Sequence, residues 1–83
     1  MGQSLTVQIN IANVPMDNLY VRWYKSEDST MSDNDTPIGE IVDIKDTGIS
    51  TITPSESGYY YAKVELVRNV DSKTAVSGMW AVL

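Results

Sequence analysis

The sequence predicts an all-β chain folded as one antiparallel β-sandwich of six or seven short strands. Three observations predict it. Apolar and polar residues alternate with a period of two in several short runs. Turn signals built from Pro, Gly, Asn and Asp separate those runs. Helical periodicity appears nowhere along the chain.

The first run places Leu5, Val7, Ile9 and Ile11 against Thr6, Gln8 and Asn10, a strand buried on one face. The stretch 12–18 follows as a turn, with Pro15 and Asn18 as breakers. Leu19, Val21 and Trp23 then alternate with Tyr20, Arg22 and Tyr24, so Trp23 points inward. Residues 26–37 form a polar loop of Ser, Asp, Asn, Thr and Glu interrupted by Met31, expected to lie on the surface and to be mobile. Residues 38–44 are strand-like but less cleanly patterned, Asp46-Thr47-Gly48 is a turn, and residues 49–53 are a β-branched strand. Pro54 to Gly58 turns into a tyrosine-rich strand that runs to about Val67. There, alternation sends Tyr60, Ala62, Val64 and Leu66 to one face and Tyr59, Tyr61, Lys63 and Glu65 to the other. Arg68 to Lys73 is a polar turn, and Thr74 to Leu83 the last strand, with Gly78 as a candidate bulge. Met79, Ala81 and Leu83 do not resemble a protected edge.

Bulk properties narrow the function. At 83 residues the chain suffices for one domain, and folding buries roughly 60–65% of the unfolded surface. A net charge of −5 argues against nucleic acid and anionic membranes as partners. No apolar run approaches a membrane span, and the start has no signal-peptide pattern. Met1-Gly2 reads as an appended start: residues 1–4 are expected to be a linker end, and residues 5–83 a domain cut from a longer protein. Cysteine and histidine are both absent. That removes disulfides, thiol nucleophiles, thiolate metal sites, the usual proton shuttle and the commonest metal ligand. The chain therefore reads as a non-enzyme, with no catalytic residue, cofactor or metal assigned.

Three features together resemble the immunoglobulin-like superfamily. Val21-Arg22-Trp23-Tyr24-Lys25 is similar to the central strand whose tryptophan fills the core. Glu56-Ser57-Gly58-Tyr59-Tyr60 is similar to the tyrosine corner, with Glu56 where aspartate is usual. The interval from Trp23 to Ala62 is what the family shows between that tryptophan and its second cysteine. The resemblance implies a structural core of Trp23, Tyr60, Gly58 and Ala62, and a tyrosine hydroxyl hydrogen-bonded to the chain before the corner. It departs from the family at both cysteine positions, held here by Ala62 and by Val7 or Ile9. A bridge closing such a loop would stabilise by roughly 4 kcal/mol in the loop-entropy model. The segment before Leu5 is also too short for a full first strand.

A missing bridge fits folding in a reducing cytosol. Short, acidic and cysteine-free, the chain resembles the immunoglobulin-like domains displayed on tailed-bacteriophage particles, and in particular the accessory domain of a capsid decoration protein. The resemblance implies a display role on the virion surface after assembly in the host cytoplasm. Another part of the parent protein would hold the capsid, and the domain would adsorb weakly to a bacterial surface glycan or protein. Two alternatives stay open: a spacer or stalk repeat of an adhesin on the bacterial cell surface, and a structural module without ligand.

Among candidate sites, the outward face of the two neighbouring strands carries Tyr20, Arg22, Tyr24, Tyr59, Tyr61 and Lys63. Tyrosine rings with interleaved cations stack on sugars or anchor a protein partner. Cross-strand aromatic pairing that only stabilises a solvated sheet is the competing reading. The loop carboxylates Glu27, Asp28, Asp33 and Asp35, with Asn34, are oxygen ligands in sequence proximity, but they lack the glycine and glutamate offsets of a calcium loop. Thr51, Thr53, Ser55 and Ser57 have no base to activate a hydroxyl and read as strand and turn residues.

Overall fold

A computed structural model of the chain describes residues 3–12, 14–32, 34–69 and 71–82. It contains seven strands: β1 (Leu5–Gln8), β2 (Asn18–Ser26), β3 (Thr36–Asp43), β4 (Ile49–Ile52), β5 (Gly58–Val67), β6 (Ser72–Val76) and β7 (Trp80–Val82). They form two antiparallel sheets, the all-β sandwich that alternation and turn spacing predict. One sheet is the pair β1–β4; the other runs β3-β2-β5, with β6 and β7 both on the far edge of β5.

The β2–β5 ladder is the spine. It pairs nine residues without a slip, from Asn18↔Val67 to Ser26↔Tyr59. On its inner face lie Leu19, Val21 and Trp23 from β2 and Tyr60, Ala62 and Val64 from β5, all buried. Leu5 of β1, Val82 of β7 and Ile44 complete the buried core, with Ile52, Leu66 and Trp80 packed against it. Trp23 ties the layers together. It is 4% exposed, its indole N–H donates to Ser50 Oγ of β4 at 2.9 Å, and its ring lies 5.5 Å from that of Trp80. Ala62 pairs directly with Trp23 and is completely buried, so a methyl group fills the position where the resemblance would put a sulfur.

The corner before β5 has the geometry its sequence calls for. Tyr60 Oη donates to the Glu56 carbonyl at 2.8 Å. Gly58 turns the chain at φ +156° and lies half-buried beneath the Lys25 stem, rather than within the core to which the resemblance assigned it.

Three strand boundaries differ from expectation. β1 ends at Gln8 rather than Ile11, although the Ile9 N–H still donates to Gly48 O at 2.7 Å and both isoleucines pack on the core. β3 begins at Thr36 and ends before Ile44, which leaves the ladder to enter the core through the 44–48 turn. The last run is two strands rather than one. Between Lys63↔Val76 and Tyr60↔Trp80, two residues of β5 face Ser77, Gly78 and Met79. This is the one-residue bulge that Gly78 suggested. Ser77 Oγ accepts the Ala62 N–H at 2.8 Å, and the Ser77 N–H donates to Ala62 O at 2.9 Å, so the break leaves Ala62 satisfied. At this edge Met79 is half-buried and Ala81 exposed, while Leu83 lies outside the described residues.

Candidate binding face

The outer face of β2 and β5 gathers all six candidate residues. Register places Tyr20 opposite Glu65, Arg22 opposite Lys63, Tyr24 opposite Tyr61, and Ser26 opposite Tyr59. Tyr20, Arg22 and Tyr24 follow one another along β2 on alternate positions, the period that aims them to one side. With Ile41, Lys63, Glu65 and Thr74, they line an open groove of about 210 Å³.

Arg22 sits at its centre for a reason found on the neighbouring strand. β3 pairs Val42 with Val21 and Ile38 with Trp23, so Gly39, Glu40 and Ile41 stand opposite the single residue Arg22. Gly39 permits this bulge at φ +69°. A bulge re-aims side chains next to it, and here Ile41 joins the groove wall while 57% exposed. The Arg22 Nε is shielded from water and has no acceptor.

Two of the six residues are not contact groups for a ligand. Tyr61 is 3% exposed. Its ring stacks on Tyr24 at 5.4 Å with a 14° interplanar angle, and its hydroxyl donates to Asp35 Oδ2 at 2.6 Å. The acidic loop thus closes over Tyr61, where strand alternation alone would leave the ring in solvent. Tyr59 shares the face but not the groove; four residues from Lys63, it lies about 13 Å further along the strand. Tyr20 and Tyr24 therefore supply the groove's rings. The Lys63 ammonium stands 5.2 Å from the centre of the Tyr24 ring, a cation–π contact.

The loop carboxylates serve the loop. Asp28 Oδ1 accepts the Thr30 N–H at 2.9 Å, and Asp35 Oδ2 accepts the Ser32 N–H at 2.8 Å. Buried Ser26 anchors the loop's start, its Oγ lying 3.0 Å from Thr30 O and 3.2 Å from Asp28 Oδ1. The Tyr61 hydrogen bond, followed by the Ser32 N–H, holds the Asp35 carboxyl below its usual pKa. Asp43 is lowered likewise, first by the Asn18 amide and then by the Leu19 N–H, which fasten the end of β3 to the start of β2. Among the described residues no three acidic side chains converge as a metal site; Asp33 lies outside them. Two of the four hydroxyl residues are placed structurally: Thr6 and Thr51 hydroxyls meet at 2.9 Å and those of Ser4 and Thr53 at 3.1 Å, zipping the β1–β4 pair, while Ser55 and Ser57 lie exposed in the turn before β5.

Strand alternation located the face. The bulge that centres it on Arg22, and the burial of Tyr61, were not visible in the sequence, where Gly39 was the single local signal.

Fold and face define a small all-β sandwich with one aromatic, cationic groove on its larger sheet. Comparison of the chain with models of known protein families found no match, nor did comparisons with curated proteins or with solved structures. Among the described residues no helix is long and apolar enough to cross a membrane.

Proposed function

We propose that the domain is a non-catalytic binding module whose contact surface is the groove around Arg22. Its setting is that of an accessory immunoglobulin-like domain of a capsid decoration protein, displayed on a phage particle and adsorbing weakly to the bacterial surface. The observation that carries the binding reading is the juxtaposition of Tyr20, Arg22 and Tyr24 with Lys63 beside an exposed Ile41. The setting is supported by the alanine in the core. Ala62 closes fully against the Trp23 strand, and the sheets are tied by the Trp23–Ser50 hydrogen bond, so folding requires no oxidising compartment. Weak single-site affinity is sufficient in a display role, because many copies on one particle multiply it.

The test is adsorption of the labelled chain to bacterial cells and to stripped cell-wall glycans, alongside Tyr20→Ala and Tyr24→Ala. Saturable binding reduced tenfold or more in Tyr20→Ala, with the thermal transition retained, is expected. Equal binding by wild type and both variants would remove the groove from the proposal.

A further inference from the structure

The domain carries 11 acidic residues against 6 basic ones, yet the centre of its groove is cationic. Arg22 and Lys63 face each other directly across the β2–β5 ladder. Like charges in that position are destabilising unless something offsets them. Two of the other four cations are paired with carboxylates: Lys25 lies 3.8 Å from Glu56, and Arg68 forms a two-pronged pair with Asp71 at 2.6 and 2.7 Å; among the described residues Lys45 reaches only the Asp17 carbonyl. Among the described residues neither Arg22 nor Lys63 has a carboxylate within ion-pair distance, and Lys63 is left with the ring of Tyr24. Glu65 lines the Tyr20 end of the groove and pairs with neither. Arg22 Nε is covered by the chain itself and has no acceptor, so any ligand meets the outer part of the guanidinium.

Resting on the binding reading above, we infer that the groove takes an acidic polysaccharide, a chain of sugars bearing carboxylates. The sugar ring lies against Tyr20 and the exposed Ile41, whose apolar surfaces suit the C–H face of a pyranose. The carboxylate sits over Arg22 and Lys63, whose charges no carboxylate among the described residues pairs with. A guanidinium matches a carboxylate in two-pronged geometry, and an ammonium adds a point charge beside it. Tyr24, stacked on Tyr61, lines the groove and holds Lys63 in place. The domain's acidic surface disfavours long anionic chains at distance, but beyond about 8 Å that repulsion is screened at physiological salt. Recognition is therefore confined to the groove.

The test is calorimetric titration of the intact domain with a short oligogalacturonate and with its carboxyl-reduced, neutral counterpart. Backbone amide shifts of residues 20–24 and 61–65 are followed in parallel. The acidic oligomer is expected to bind at least tenfold more tightly, to shift those amides, and to lose tenfold or more affinity in Arg22→Gln. Lys63→Gln is the second variant should Arg22→Gln lower the thermal transition. Equal binding of the neutral oligomer, abolished by Tyr20→Ala but not by either Gln variant, overturns acid recognition and leaves the groove reading standing. No amide shift with either oligomer, together with adsorption to cells unaffected by Tyr20→Ala, overturns both.

Discussion

Replacing Tyr60 by phenylalanine isolates the corner that starts β5. The ring stays buried at 3% exposure and keeps its packing; only the hydroxyl and its 2.8 Å bond to the Glu56 carbonyl are lost. A neutral hydrogen bond contributes a net ~0.5–1.5 kcal/mol, and the hydroxyl here donates from a buried ring. The expected destabilisation is about 1–2 kcal/mol. A domain of this length is stable by roughly 4–12 kcal/mol, so the loss is a sizeable fraction. Urea unfolding followed by tryptophan fluorescence reads it as a midpoint shift of about 1–2 M, taking a slope near 1 kcal/mol/M. Thermal unfolding reads it as about 4–16 °C. Tyr20→Phe is the control, because the Tyr20 hydroxyl makes no hydrogen bond within the described residues, and its change should stay within about 0.5 kcal/mol. Equal midpoints for the two variants would show that the corner hydrogen bond contributes nothing and that Tyr60 holds the corner by ring packing alone.

Two further outcomes follow from the geometry. Gly48 sits at φ +70°, and a Cβ there would meet the Ile9 carbonyl oxygen at 2.5 Å. Gly48→Ala should therefore destabilise by more than the roughly 1–2 kcal/mol of left-handed backbone alone, Gly39→Ala by about that amount, and Gly78→Ala least of the three, an order readable from urea midpoints. Asp35, Asp43 and Asp71 all have folded pKa values below the usual carboxylate range, through Tyr61, Asn18 and Arg68 respectively. Their stabilisation is complete above the unfolded pKa near ~3.9 and is lost as pH falls through the folded values. Urea midpoints should hold steady between about pH 5 and 7 and drop below about pH 4, and Tyr61→Phe should bring the Asp35 carboxyl back toward its ordinary value in an NMR titration.

How much of this was legible in the sequence depends on how far apart the partners lie. Alternation is a local signal, and it placed Trp23 inward, Arg22 outward and Tyr60 at the corner. Tyr61 obeyed the same alternation yet became buried, because its cover comes from Asp35, 26 positions away, and no residue near Tyr61 announces a loop returning to it. Arg22 at the groove centre depends on a bulge in a different strand. Splitting the last run into β6 and β7 was half visible: Gly78 marked the bulge, whereas Ser77 stitching it to Ala62 was not apparent. The patterns also gave no hint that β1 and β4 would pair alone in a sheet of two, because each strand shows its buried face but not its number of neighbours.

The spine of the sandwich also sets how the chain reaches its native state. Trp23 and Ala62, the central pair, are 39 positions apart along the chain. Closing a segment of that length costs about 3 kcal/mol in chain entropy before any side chain is buried. β2 with β3, and β5 with β6, are neighbours in sequence and zip locally, but each hairpin alone exposes the inner residues that only the other can cover. The chain entropy of that closure is offset only when Trp23 and Ala62 are buried together. Such a topology folds in milliseconds to seconds rather than microseconds. On the ribosome, the β2–β3 hairpin leaves the tunnel first and carries Val21 and Trp23 in the open until β5 has emerged.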